Sequence, residues 1–244
     1  SLEASDKIEF VLTRHEQGAA FMAEVYGRLT GNPAVCLATL GPGATNLITG
    51  VADANMDRAP MLVITGQANT KRQHKESHQV MDVVDMYRPV TKWTTSIEHP
   101  DTIPEIVRKA VRLARSEKPG ATHIELPEDI AKETTSLSPL KPRRFRRPGA
   151  DDKICDQAWE RIQNARRPII IAGNGTIRKR ASKQLRLVCE ATGSGVLSTF
   201  MAKGCVDMDA PYCLYTIGLQ GRDYATLAVE ESDLVIAIGY DLVE

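Results

Sequence analysis

The sequence predicts an α/β fold built from two doubly wound, parallel-sheet domains. Short apolar runs rich in β-branched residues alternate with longer amphipathic stretches, which is the pattern of strands joined by crossover helices. This alternation stops once, in a segment rich in proline and basic residues, and then starts again. The 244 residues are enough for two modest domains.

The strands are predicted from apolar runs bounded by glycine or proline. In chain order these runs are Ile8–Thr13, Ala34–Ala38, Met61–Thr65, His123–Leu126, Ile169–Ala172, Gly195–Ser198 and Leu234–Ile238. The amphipathic stretches between them predict helices over Glu16–Leu29, Ala44–Met56, Ile103–Ser116, Asp152–Ala165 and Lys179–Thr192. Because strands alternate with helices, we expect parallel sheets with helices on both faces.

The interruption predicts the domain boundary. We expect a first domain over residues 1–137, a linker over 138–150 and a second domain over 151–244. The linker contains a proline-flanked basic run: Lys141, Arg143, Arg144, Arg146 and Arg147. Such a run is more typical of a solvated linker than of a polyanion site.

The overall composition argues against several classes of partner. Lys plus Arg and Asp plus Glu both number 31, so no global charge draws the chain to nucleic acid or to an anionic membrane surface. No apolar run approaches the roughly 20 residues needed to cross a bilayer. We therefore expect no nucleic-acid partner and no membrane partner.

The cysteines and the first residue suggest a setting for the chain. Five cysteines without a C-x-x-C pair predict free thiols in a reducing compartment, and hence a cytoplasmic protein. Because the sequence begins with Ser1 and not with methionine, we expect a fragment of a longer protein.

The first chemical signal is a carboxylate at the start of the first predicted helix. Glu16 follows Arg14 and His15, and the small residues Gly18 and Ala19 come directly after it. A carboxylate in a first helical turn has an ordinary explanation, since it favours the positive end of the helix dipole. The motif alone therefore does not assign a function.

The second signal is a glycine-rich turn after the strand Ala34–Ala38. It runs from Thr39 to Asn46 and contains Gly41-Pro42-Gly43. Glycines let the backbone approach a ligand, and the helix N-terminus beyond could receive an anion or a polar ring. The turn lacks the G-x-x-x-x-G-K-[ST] pattern of a P-loop. For Asn46, a plain helical position near an N-terminus is an equal explanation.

In this order, the two motifs resemble the pyrimidine-binding domain of thiamine-diphosphate enzymes, and acetolactate synthases most of all. Asp57-Arg58-Ala59-Pro60 and Thr65-Gly66-Gln67 continue the resemblance. It implies that Glu16 bonds a ring nitrogen of the cofactor's aminopyrimidine, in a largely apolar site where its proton exchanges near neutral pH. It also implies a pyrimidine pocket lined by Thr39, Gly41, Pro42, Gly43 and Asn46.

The segment from His78 to Lys92 resembles the catabolic acetolactate synthases. By that resemblance Gln79 reaches the substrate adduct and His78 flanks it. A polar loop facing solvent is an equal explanation for Gln79. The more ordinary role for Lys92 is packing of its stem with the amine at the surface.

The second half, from about Ile154, resembles the central domain of the same enzymes. Strand Ile169–Ala172 leads into Gly173-Asn174-Gly175-Thr176, where the biosynthetic enzymes bind FAD and the catabolic enzymes do not. Arg178 stands where the third glycine of a dinucleotide fingerprint would be. The resemblance therefore allows FAD but does not favour it.

The resemblance also implies an activity. We expect decarboxylation of pyruvate and its joining to a second 2-oxo acid to give 2-acetolactate, in a homo-oligomer with active sites between subunits. We predict no metal ligand among these residues, because the resemblance assigns Mg²⁺ and the diphosphate to a further domain. The 244 residues alone are therefore expected to be inactive.

Two alternatives to acetolactate synthase remain. One is another thiamine-diphosphate enzyme, such as a pyruvate oxidase, a carboligase or an oxo-acid decarboxylase. The other is a non-catalytic nucleotide-binding module made of two Rossmann-like units.

Overall fold

The computed structural model describes residues 5–142, 149–218, 221 and 223–243. These residues divide into two compact units, within Ser1–Phe145 and Arg146–Glu244. The arginines of the predicted basic linker, Arg143, Arg144, Arg146 and Arg147, lie outside the described residues.

The first unit contains a parallel sheet of four described strands in the order β1-β2-β4-β3. In chain order its elements are α1 (Glu16–Thr30), β1 (Ala34–Ala38), α2 (Pro42–Met56), β2 (Met61–Gln67), α3 (Val83–Tyr87), β3 (Trp93–Ser96), α4 (Ile103–Arg115) and β4 (Ala121–Pro127). Single 3₁₀ turns lie at Thr70–Arg72, Arg88–Val90, Pro100–Thr102 and Ile130–Lys132.

The central strand β2 shows why helices cover both faces of this sheet. Met61 and Val63 pack with α1, α2 and α3 on one face. Leu62 and Ile64, which alternate with them, pack with α4 on the other face. Because successive side chains of a strand point to opposite faces, a continuous apolar run is what a doubly covered strand requires.

The second unit repeats this architecture with strand order β7-β6-β5-β8, again parallel. Its elements are α5 (Asp152–Asn164), β5 (Pro168–Ala172), α6 (Asn174–Arg178), α7 (Ser182–Thr192), β6 (Gly195–Ser198), a 3₁₀ turn (Phe200–Ala202), β7 (Cys213–Thr216), α8 (Tyr224–Glu230) and β8 (Leu234–Ile238). Ile170 packs with Leu185 of α7, whereas Ile169 packs with Ala225 of α8. The predicted fold class, two doubly wound parallel sheets, is confirmed.

Some predicted elements differ from the structure. Residues 8–13 are not a strand: they pair with no strand in the described part of the chain, and Leu12 is 84% exposed. The predicted helix Lys179–Thr192 begins at Ser182, because Arg180 has a left-handed φ of 54° that no helix accommodates. Strands β3 and β7 and helix α8 were not predicted. Among the described residues, no helix has both the length and the apolar character to cross a membrane.

Candidate functional site

Glu16 is the first residue of α1. His15 precedes it as the N-cap, with extended backbone and with Nδ1 accepting a hydrogen bond from the amide of Gln17 at 3.2 Å. The cap begins the helix at Glu16 and therefore places this carboxylate in the first turn. Glu16 remains partly exposed.

The amide of Asn46 on α2 holds the carboxylate of Glu16. Asn46 Nδ2 donates to Glu16 Oε2 at 3.1 Å. The backbone amide of Glu16 itself, followed by Asn46, lowers the pKa of this carboxyl below its usual value. The apolar surroundings expected for Glu16 are therefore not supplied by the described residues, because two N–H donors and partial exposure favour its ionised form.

The Gly41-Pro42-Gly43 turn lets α2 begin close to this carboxylate. Gly41, the N-cap of α2, has φ 59° and ψ −121°, and Pro42 is the first residue of the helix. A Cβ on Gly43 would lie 2.7 Å from Cγ2 of Thr39 and 3.5 Å from Oε1 of Glu16. Glycine at position 43 therefore lets Thr39 pack against the start of α2 close to Glu16.

Gln79 lies against the same turn. A Cβ on Gly41 would lie 2.7 Å from the Cβ of Gln79 and 3.0 Å from its carbonyl oxygen. Gln79 has a left-handed φ of 60°, a conformation that a non-glycine residue adopts at a cost and that is common at functional sites. The neighbouring His78 is exposed, so its place beside a substrate stays a prediction.

Most of the predicted site residues are thus joined by contacts. Asn46 bonds Glu16, Thr39 lies against Gly43, and Gln79 covers Gly41. Glu16 and the Gly41-Pro42-Gly43 turn lie at the starts of α1 and α2, and the turn follows the carboxyl end of β1, the usual place for a ligand in an α/β sheet. Lys92 is not a surface amine as predicted: its ammonium donates to the carbonyls of Leu113 at 2.5 Å and Ser116 at 2.8 Å.

A buried histidine beneath this edge was missed by sequence reasoning. His123 on β4 is fully buried, with Nε2 2.8 Å from Thr65 Oγ1 and Nδ1 2.7 Å from Thr94 Oγ1. The ring of Tyr87 stacks on it with a centroid separation of 4.0 Å, and the Tyr87 hydroxyl donates to the carbonyl of Ala44 at 2.7 Å. Burial lowers the pKa of His123 to about 3, so its ring is neutral at physiological pH.

A glutamine–glutamate pair at the ends of β2 and β4 was also missed. Gln67 Nε2 donates to Glu125 Oε2 at 2.9 Å, and both residues are 5% exposed. Burial raises the pKa of Glu125. The available signal was Glu125 itself, a charged residue inside the predicted buried strand His123–Leu126, since such a group is rarely buried without a partner.

The described residues contain one close group of carboxylates that could hold a metal ion. Oxygen atoms of Glu24, Asp53 and Asp57 lie within 4.8 Å of one another. The guanidinium of Arg28 contacts Glu24 and lies 2.5 Å from Asp57 Oδ2, so it supplies a positive charge there.

The second unit has its own glycine turn, between β5 and α6. A Cβ on Gly173 would lie 2.5 Å from the Cα of Tyr240, and one on Gly175 would lie 2.6 Å from the Cα of Gly239. These two glycines allow the turn to contact the backbone that follows β8.

Comparison with known families agrees with both units. Residues 1–86 match the family described as "Thiamine pyrophosphate enzyme, N-terminal TPP binding domain". Residues 155–244 match "Thiamine pyrophosphate enzyme, central domain". The chain contains the N-terminal and central domains of a thiamine pyrophosphate enzyme.

Curated relatives resemble nearly the whole chain. A "Probable acetolactate synthase large subunit" of Methanocaldococcus jannaschii is 38% identical over 236 residues, which cover 94% of this chain and 40% of that protein. An "Acetolactate synthase" of Arthrospira platensis is 37% identical, covering 97% of this chain and 42% of its own length. "Acetolactate synthase 2, chloroplastic" of Nicotiana tabacum is 37% identical, covering 98% of this chain and 37% of its own length. The chain therefore spans about two fifths of the length of these relatives.

Proposed function

We propose that this chain is the pyrimidine-binding and central part of an acetolactate synthase that acts on pyruvate with thiamine diphosphate. The observation that carries the proposal is the Glu16 carboxylate, held by Asn46 at 3.1 Å beside the Gly41-Pro42-Gly43 turn. The names of the relatives support the same activity.

Glu16 is the residue that acts on the cofactor in this proposal. Its carboxyl group would bond a nitrogen of the aminopyrimidine ring and share a proton with it, while Asn46 holds the second carboxylate oxygen. The lowered pKa keeps Glu16 ionised in this chain, so a proton shared with the ring nitrogen would have to be taken up from water. When bound, thiamine diphosphate supplies the electron sink for decarboxylation.

Other residues of the turn have simpler roles. Thr39, Gly41, Pro42 and Gly43 line the ring pocket through backbone and apolar contact, and Gln79 faces the substrate from above Gly41. We assign Mg²⁺ and the diphosphate to a domain outside these residues, and we propose a cytoplasmic homo-oligomer with active sites between subunits. The proposed limits are residues 1–137 and 151–244 for the domains and 138–150 for the linker.

The glycine turn of the second unit bears on whether the enzyme binds FAD, and so on whether it is of the biosynthetic or the catabolic type. Gly173 and Gly175 contact the backbone of Gly239 and Tyr240, which accounts for both glycines without a dinucleotide. This packing supports an enzyme without FAD. The resemblance of residues 78–92 to catabolic enzymes supports the same conclusion.

The test is product analysis on a full-length protein that contains this chain. With pyruvate, thiamine diphosphate and Mg²⁺ we expect 2-acetolactate, and no flavin absorbance from the purified protein. Acetaldehyde or acetyl phosphate as the main product would instead identify another thiamine-diphosphate enzyme. A protein that neither binds the cofactor nor consumes pyruvate would contradict the proposal. The 244 residues alone serve as the control, and we expect them to form no product.

A further inference from the structure

Gln67, the last residue of β2, uses its whole side-chain amide in bonds to three parts of the first unit. Its Nε2 donates to the carbonyl of Met81 at 3.0 Å and to Glu125 Oε2 at 2.9 Å. Its Oε1 accepts from the amide of Ala68 at 2.8 Å. The side chain therefore links β4 to the loop that contains Met81.

That loop includes Gln79 and is held from two directions. Gly41 lies on one side, where a Cβ would be 2.7 Å from the Cβ of Gln79. Gln67 holds the carbonyl of Met81, which also accepts the amide of Val83 at 3.0 Å and so leads directly into α3. Between these two points the backbone of Gln79 has a left-handed φ of 60°. An unfavourable conformation of this kind persists only where surrounding contacts hold it.

Glu125 orients the Gln67 amide. With one carboxylate oxygen accepting from Nε2, the amide cannot rotate by 180° without turning its own oxygen toward a buried acceptor. The side chain of Ser96 on β3 also bonds this carboxylate. Asp82 is the charged neighbour from the loop, and it opposes ionisation of Glu125. The pair thus fixes which amide atom faces Met81.

We propose that Gln67, oriented by Glu125, is a positioning residue that holds Gln79 over the Gly41-Pro42-Gly43 turn. The substrate contact of Gln79 rests on the proposed function. The position of the loop does not, so the two can be tested separately.

The first experiment measures amide hydrogen exchange by NMR on the 244-residue chain. The reporters are the amides of Val80, which donates to Ser77 at 3.2 Å, and of Val83. Gln67→Met keeps the side-chain length but loses both donated bonds, and we expect both amides to exchange roughly fivefold to tenfold faster. The amide of Asp57, at the far end of α2, lies outside the loop and should not change.

Matched variants separate positioning from general damage. Gln73→Met removes a similar bond, from Nε2 to the carbonyl of Ala68 at 3.0 Å, and should leave Val80 and Val83 unchanged. Glu125→Gln still accepts from Gln67 and should keep exchange near the wild-type rate. Gln67→Asn, a milder change that is too short to reach both partners, should act in the same direction as Gln67→Met. Unchanged exchange in both Gln67 variants, or an equal effect of Gln73→Met, would overturn the proposal.

The second experiment measures kinetics in the full-length protein. We expect Gln67→Asn to raise the KM for pyruvate roughly tenfold, with a smaller change in kcat, because Glu16 and its contacts are untouched. A fall in kcat at constant KM would overturn the role toward Gln79. If the wild type forms no acetolactate, the proposed function fails, while the exchange result still decides the position of the loop.

Discussion

The two glycine turns of this chain have the same place in their units, but each requires its glycine for a different physical reason. In the first unit, Gly43 follows β1, and a Cβ there would meet the side chains of Thr39 and Glu16. In the second unit, Gly175 follows β5 and its missing Cβ admits the backbone of Gly239. The first turn brings side chains together beside the carboxylate that we propose to act on the cofactor, whereas the second allows two backbone segments to touch.

This difference teaches that a glycine after a parallel strand is not by itself evidence for a ligand. What decides is the atom that a Cβ would meet. A side chain that can bind a ring indicates a site, and a backbone that fills the space indicates packing. Substitutions in each unit test whether the two turns differ in this way.

The largest expected loss of stability follows from Gly239→Ala. The new Cβ would lie 2.5 Å from the backbone nitrogen of Thr176, and φ is 61°, so steric overlap adds to backbone strain. We expect the free energy of unfolding of the second unit to fall by about 3 kcal/mol or more. Urea unfolding followed by Trp159 fluorescence, in a Trp93→Phe background, measures it.

The control for this prediction is Gly193→Ala. Gly193 has a similar φ of 69°, but a Cβ there meets nothing within 4 Å, so only the strain of about 1 kcal/mol should appear. Equal losses at Gly193 and Gly239 would mean that the contact between Gly175 and Gly239 does not stabilise the second unit.

A pH-dependent loss is expected next, and only in the first unit. All five histidines of the sequence lie there, and burial lowers the pKa of His123 to about 3. Because the unfolded chain protonates this ring near pH 6.5 and the folded chain does not, stability falls as the pH drops from about 6.5 toward 3. Between pH 6.5 and 4.5 the contribution of His123 is about 2 kcal/mol.

Urea unfolding at both pH values, followed by Trp93 in a Trp159→Phe background, tests this. His123→Gln should remove most of the difference between the two pH values, because glutamine cannot be protonated in this range. A variant that remains as acid-sensitive as the wild type would assign the sensitivity to other groups.

The smallest expected effect is a pKa change at Glu16. Asn46→Leu removes the amide that donates to Glu16 Oε2, so the pKa of this carboxyl should rise toward its usual value. Since a lowered folded pKa stabilises the fold above the unfolded pKa and less as the pH falls, the variant should also lose a little stability near neutral pH. A carboxyl-carbon NMR titration measures the shift, and Asn164→Leu in α5 should not produce it.

Much of the fold was predictable because it depends on local pattern. Strands β1, β6 and β8 have the predicted bounds, since each is a short apolar run that the sequence alone marks as a strand. Strands β3 and β7 were missed because each mixes polar with apolar side chains over only four residues and so forms no apolar run.

The site, too, was predictable only where it depends on local pattern. Glu16 and the glycine turn were predicted from contiguous motifs, whereas two buried contacts were not: Gln67 with Glu125, and Thr65 with His123. Each of these pairs joins residues 58 positions apart. Their contact depends on the register of β2 against β4, which pairs Thr65 with Glu125, and no local pattern encodes that register.

The most direct measurement is acetolactate formation by a full-length protein that contains this chain with Glu16→Gln. If Glu16 shares a proton with the cofactor ring, the rate should fall roughly 10²–10⁴-fold, as for the loss of an acid–base group. The matched control is Glu105→Gln, the same substitution in the first turn of α4, which should leave the rate unchanged. Near-normal turnover by Glu16→Gln would contradict the assignment and leave Glu16 only a favourable charge at a helix N-terminus.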